Sequence, residues 1–148
     1  MNIEIRKALE RDFEFVCSMI KQLNGVSEET EILEDQKLKD IFLKHLISTS
    51  KFCYVAEVSG ISVGFMSCSL DLVLSEIGEV LIIDELVVDE KSHGTGVGRA
   101  LIDCALRFAK SRGCYLVQAT TNFRNKGTHQ FYEKVGFNKN GYRFQVDV

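Results

Sequence analysis

The residues best suited to chemistry lie between positions 83 and 101. Ile83-Asp84-Glu85-Leu86-Val87-Val88 is an apolar run holding two adjacent carboxylates. Asp89 to Ser92 lead from it into His93-Gly94-Thr95-Gly96-Val97-Gly98-Arg99-Ala100-Leu101. Gly94, Gly96 and Gly98 thus alternate between an apolar strand pattern and an amphipathic helix pattern. Glycine permits tight turns and close backbone approach, so loop N–H groups and the first amides of the helix can converge on an anion. A phosphate or pyrophosphate is the natural ligand. A glycine-rich turn without any ligand is the plainer alternative. Two phosphate-binding motifs do not fit. A P-loop needs Gly-Lys-Ser/Thr, and no Lys follows these glycines. A dinucleotide fingerprint needs Gly where Arg99 stands, and it belongs in the first strand-to-helix turn, whereas this loop lies well into the chain.

A second segment of interest is Asn125-Lys126-Gly127-Thr128-His129-Gln130-Phe131-Tyr132-Glu133-Lys134-Val135-Gly136-Phe137. On a helix, positions 125 and 132 are i,i+7, which puts Asn125 and Tyr132 on one face. Phe131 and Val135 are i,i+4 on another face and read as core. His45, His93 and His129 are far apart without metal-ligand spacing, so no metal is expected. The five cysteines, Cys17, Cys53, Cys68, Cys104 and Cys114, form no C-x-x-C pair and sit mostly in apolar segments. They read as reduced small hydrophobes of a cytoplasmic protein.

The elements that must position these residues follow from periodicity. Ile3, Ile5 and Lys7 mark a short opening strand. Phe13, Val16, Ile20 and Leu23 repeat at helical spacing up to Asn24-Gly25. Val26 to Asp35 is polar and acidic and reads as a loop before a second helix through Leu38, Ile41, Phe42, His45 and Leu46. The period then becomes two: Phe52 to Val58, Ser59-Gly60, and Ile61 onward predict a β-hairpin. Glu79 to Val88 is apolar enough for a strand buried on both faces. A helix is expected from about Val97 to Arg112, a strand over Tyr115 to Thr121, a helix over Arg124 to Val135, and one or two strands in Phe137 to Val148. The expected order is β-α-α-β-β-β-α-β-α-β(β), an α+β or mixed α/β fold with helices against a central sheet. The 148 residues lack proline and any linker-like tract, which predicts one domain over 1–148.

With these elements in place, His93 to Gly98 resembles the R/Q-x-x-G-x-G/A pyrophosphate loop of the GNAT superfamily of N-acetyltransferases. Asn125 to Phe137 resembles that family's N-x-x-A-x-x-F-Y-E-K-x-G-F segment, and the element order is similar across nearly the whole chain. The departures are His93 for the usual Arg/Gln, Glu90 for a frequent Pro, and Thr128 for Ala. The resemblance implies a central, mostly antiparallel mixed sheet, acetyl-CoA as donor, and a primary amine as acceptor in a ternary complex. It implies that His93, Gly94, Thr95, Gly96, Val97, Gly98 and Arg99 hold the pyrophosphate. Leu86, Val87 and Val88 would line the cosubstrate, and the N–H of Val87 or Val88 would polarise the thioester carbonyl. Asn125 would contact the pantetheine arm, although an N-cap is an equally ordinary role for it. Tyr132 would protonate the departing thiolate. The ammonium form of the acceptor needs a base. Successive residues of a regular strand face opposite ways, so one of Asp84 and Glu85 faces the cleft unless a bulge intervenes, and Glu85 is favoured.

The acceptor is less legible. The first loop and second helix start hold Glu28, Glu29, Glu31, Glu34 and Asp35, an acidic rim able to attract a polyamine, an aminoglycoside, a lysine side chain or a basic peptide. The same residues also suit a solvated helix start. A net charge of -3 gives no basic field for nucleic acid. No apolar run reaches a membrane span, and the first residues show no apolar stretch of signal-peptide type. A non-catalytic acetyl-CoA sensor or interaction domain is the alternative function. Family members often dimerise, and composition does not fix the oligomeric state.

Overall fold

The computed structural model describes residues 1–25 and 32–148. Strand β1 (Ile3–Lys7) runs through a short 3-10 turn into helix α1 (Phe13–Asn24). Helix α2 spans Ile32–Ile47. It begins earlier than the apolar periodicity predicts, so 32–35 is helix rather than loop. Glu34 and Asp35 sit in its first turn, where the helix dipole favours negative charge. Lys21 of α1 also reaches the Asp35 carboxylate at 3.1 Å.

Strands β2 (Lys51–Val58) and β3 (Ile61–Val73) form the expected hairpin. Its two-residue turn has positive φ at Ser59 (+51°) and Gly60 (+76°), the backbone twist that lets antiparallel strands close without splaying. Strand β4 (Gly78–Val88) pairs back onto β3. Helix α3 (Val97–Arg112) leads to the short strand β5 (Leu116–Ala119), and α4 spans Lys126–Lys134. The sheet order is β1-β2-β3-β4-β5, antiparallel through β4. Tyr115 N–H donates to the Glu79 carbonyl at 2.9 Å. Both strands therefore start at the same end, and β5 runs parallel to β4 after the α3 crossover. The fold is a mixed, mostly antiparallel sheet with helices on both faces.

One face of the sheet carries Cys53, Val55, Phe65 and Val87, packed against Val16 and Met19 of α1 and Phe42 of α2. The other lies under α3. A Cβ on Gly64 would stand 2.8 Å from Val97 Cγ1 and 3.2 Å from Leu101 Cδ1, so the start of α3 rests on a bare backbone. Arg6 ties β1 to its surroundings. It forms a two-pronged pair with buried Asp12 at 2.7 and 2.8 Å and reaches Glu57 of β2 at 2.6 Å.

The C-terminal strands expected in 137–148 are absent: these residues are irregular. Tyr142, Phe144, Val146 and Val148 do alternate, but all four are exposed. Alternation without a ladder partner leaves each backbone group to solvent and makes no strand. The chain divides into two compact units, 1–118 and 119–148.

Candidate active site

The first unit holds the two carboxylates, and the register of β3 with β4 decides where they point. Met66 opposes Leu86 and Ser67 opposes Glu85, but Cys68 opposes Ile83. Asp84 is therefore the extra residue of a β-bulge. A bulge shifts the face parity of everything beyond it. Leu81 and Ile83 oppose Leu70 and Cys68 on the α3 face, while Glu85 shares the α1/α2 face with Val87. Asp84 is turned to that same face, because its Oδ2 accepts from Ser69 Oγ at 2.6 Å and Glu85 Oε2 accepts from Ser67 Oγ. Alternation alone assigned one carboxylate to the cleft; the bulge puts both on one side.

Burial pushes the Glu85 carboxyl above its ordinary range, and the negative charge of Asp84 pushes it further; His45 and Lys51 pull it back. Lys51 opposes Ser69 in the β2–β3 register and so lies on the same face. A half-buried carboxyl with a raised proton affinity is suited to accept a proton near neutral pH.

In the next residues of β4 the direction of the backbone groups matters. Asp89 N–H donates to the Val63 carbonyl at 2.9 Å. Antiparallel pairs alternate, so Val87 turns its N–H toward β3 while Leu86 and Val88 turn theirs away. The Val88 carbonyl shows this directly: it accepts from Gln22 Nε2 at 2.8 Å and lies 2.8 Å from His93 Nε2. A carbonyl only accepts, so this ring nitrogen carries the proton. Of the two donors expected from sequence, Val88 has the outward N–H and Val87 does not.

Beyond Val88 the chain makes a 3-10 turn at Glu90–Ser92 and enters the glycine loop. Gly94 (φ +75°) and Gly96 (φ +92°) are left-handed, which L side chains adopt only with strain. Gly96 caps α3 with no side-chain hydrogen bond, and the first turn of the helix has no acidic residue. The first intrahelical bond is Ala100 N–H to Gly96 O. The amides of Val97, Gly98 and Arg99 precede it and lie at the positive end of the helix dipole. Such an arrangement is suited to an anion such as a phosphate. Thr95 is fixed by Oγ1 donating to Ser92 O at 2.6 Å, and Arg99 pairs with Asp103 at 3.1 Å.

The second unit holds the other two candidates. Asn125 N-caps α4, its side chain accepting from Thr128 N–H at 3.3 Å. The Tyr132 ring packs edge-on between Phe131 and Phe137, with centroids 5.4 and 5.2 Å away. His129 Nε2 lies 2.9 Å from Asn122 O.

The acidic rim is only partly visible. Glu28, Glu29 and Glu31 lie outside the described residues, and Asp35 is paired with Lys21. All five cysteines are free, and burial raises the thiols, Cys53 to about 12, so that they are poor nucleophiles. Among the described residues no group of three potential ligands could hold a metal. No helix among them is long and apolar enough to cross a membrane. Ser67, Ser69, Lys51 and Gln22 were not singled out by sequence; two serines at i,i+2 inside an apolar run were the visible signal for the first pair.

The Acetyltransferase (GNAT) family profile matches residues 5–137. An uncharacterised N-acetyltransferase of Methanocaldococcus jannaschii is 40% identical over 85 residues, covering 57% of this chain and 38% of that protein. The aminoalkylphosphonate N-acetyltransferase of Salmonella typhimurium is 28% identical over 95% of this chain and 88% of its own. The solved aminoglycoside N-acetyltransferase AAC(6')-Iy in complex with CoA superposes with a TM-score of 0.84 at 19% identity, over 99% of this chain and 95% of that one, and shares the fold.

Proposed function

The chain belongs to the GNAT family of acetyltransferases, and on that premise we propose that it moves an acetyl group from acetyl-CoA to a primary amine by direct attack within a ternary complex. The observation that carries this is the β4 bulge, which puts Glu85 and Asp84 on one face immediately before the outward-turned backbone of Leu86 and Val88. The residues fit the cosubstrate. A non-acidic helix start with no side-chain cap, behind two left-handed glycines, is suited to a pyrophosphate, held by the amides of Val97, Gly98 and Arg99, while the His93 and Thr95 N–H groups donate to the Glu90 and Ser92 carbonyls.

The bound cosubstrate supplies an activated acyl group as a thioester. The Val88 N–H donates to the carbonyl oxygen where negative charge develops. Glu85 takes a proton from the acceptor ammonium, directly or through water, and frees the lone pair that attacks. As the carbon–nitrogen bond forms, the carbon–sulfur bond breaks and Tyr132 protonates the leaving sulfur; the second proton on the new amide nitrogen is then lost to solvent or to the Tyr132 phenolate, which restores the phenol. Asn125 meets the pantetheine arm through the amide NH₂, since its oxygen is used in the cap. The acceptor is a small-molecule amine, a class consistent with the Salmonella relative's aminoalkylphosphonate. The reaction belongs in the cytoplasm, where five free thiols stay reduced.

The test is thiol release from acetyl-CoA against a panel of small amines, with the acetylated product identified by mass spectrometry. Amine-dependent release with a matching amide product is expected. CoA binding without turnover on any amine, polyamine or basic peptide would instead indicate a sensor.

A further inference from the structure

Two hydroxyls lie in the middle of an apolar strand. Along β3, Phe65, Met66, Cys68 and Leu70 are buried, and so are Ser67 (2% exposed) and Ser69 (4%). Buried hydroxyls are retained where they have partners, and here each meets one carboxylate: Ser67 donates to Glu85 and Ser69 to Asp84. The bulge makes this match. Continuing the register of Ser67 and Glu85 without the extra residue would set Asp84 opposite Cys68, on the apolar α3 face. With the bulge, two serines of one strand serve two adjacent carboxylates of the next.

We propose that Ser67 and Ser69 are positioning residues of the acetyl-transfer site: Ser67 holds Glu85 so that one carboxylate oxygen is left to take the acceptor's proton, and Ser69 anchors Asp84 beside it as an anionic contact for the acceptor ammonium. This rests on Glu85 being the base. The Ser67 hydroxyl engages Oε2, which leaves Oε1 for the proton. The ammonium N–H bond breaks, its proton passes to Oε1, and its electron pair stays on nitrogen for attack. The charged or titratable groups around Glu85 are Asp84 on its own strand, Lys51 and Cys53 from β2, Cys68 from β3, and His45 from α2. None of them donates the hydrogen bond that Ser67 does.

A hydroxyl donating to a carboxylate stabilises its charged form, so loss of the hydroxyl raises proton affinity. The experiment follows the Glu85 side-chain carboxyl by carbon-13 NMR titration, alongside the acid limb of kcat/KM, in wild type, Ser67→Ala and Ser67→Thr. Ser67→Ala is expected to move the titration midpoint up by about one pH unit. The acid limb should move with it, and Thr, which keeps the hydroxyl, should restore both. If Ser67→Ala does not fold, Ser67→Cys, nearly isosteric and a weaker donor, should give a smaller shift of the same sign. Ser69→Ala should raise KM for the amine about tenfold with kcat nearly held, since one charged contact is loosened. A midpoint that moves while the acid limb stays would support the Ser67 contact and remove Glu85 as the base. A midpoint unmoved by loss of the hydroxyl, or an unchanged amine KM in Ser69→Ala, would overturn the corresponding half of the proposal.

Discussion

Glu85 sets stability against reactivity. Its carboxyl is raised above the ordinary value by burial and by Asp84. A group shifted in that direction favours folding only below its unfolded value near ~4.3, and that contribution is lost as pH rises through the folded value. At neutral pH an ionised Glu85 therefore burdens the fold. Glu85→Gln keeps an acceptor for Ser67 and removes the charge, so the midpoint of urea unfolding at pH 7 should rise. Asp84→Asn removes a charge that raises Glu85, so the acid limb of kcat/KM should move to lower pH. Tyr132→Phe keeps the ring between Phe131 and Phe137 and removes only the hydroxyl. Its kcat should fall by at least about tenfold while CoA affinity holds. The adjacent carboxylates and the Asn125-to-Tyr132 spacing were legible because they are patterns of residue type. The serines were not, because a hydroxyl in an apolar strand acquires meaning only when the register names its partner.

At the scale of elements, the contact between β3 and α3 matters most. Val97 opens the helix proposed to hold the phosphate, and it rests on Gly64. Gly64→Ala should cost roughly 1–3 kcal/mol in urea unfolding, the usual penalty of overpacking, and should weaken CoA binding by shifting the helix start. Gly96 is left-handed, so any side chain there carries strain; Gly96→Ala is the control for Gly96→Glu. Both should lose similar stability, but only Glu adds a carboxylate at the proposed phosphate site, so calorimetry should find the larger loss of CoA affinity there. Asp12, held below its ordinary value by Arg6, joins β1 to the start of α1. Its contribution is present above the unfolded value near ~3.9 and lost as pH falls through the lower folded value. Asp12→Asn should therefore cost roughly 2–4 kcal/mol at pH 7, with the gap from wild type closing as pH drops below about 4. Helix α3 was legible to its ends because its apolar stripe and Gly113 agree. The bulge at Asp84 was not, since period-two alternation cannot show an inserted residue. The strands expected after Phe137 failed for the converse reason: alternation was present and a partner was not.

Across the whole molecule, the family profile runs from 5 to 137 and so spans both compact units. The proposed base and phosphate loop lie in one, and Asn125 and Tyr132 in the other. Binding that favours the folded state should raise Tm with CoA concentration: at a hundredfold excess over Kd the stabilisation is ~2.7 kcal/mol, a rise of roughly 5–10 °C for a chain of this size. The acceptor stayed illegible at this scale, because the acidic residues that would frame it are partly outside the described residues and partly neutralised by Lys21. The most direct measurement compares amine-dependent thiol release in wild type and Glu85→Gln at saturating acetyl-CoA, with CoA affinity measured in parallel. The expected result is a kcat/KM for the amine lowered by about 10²–10⁴-fold with CoA affinity unchanged. A Glu85→Gln enzyme that releases thiol at the wild-type rate would contradict the account.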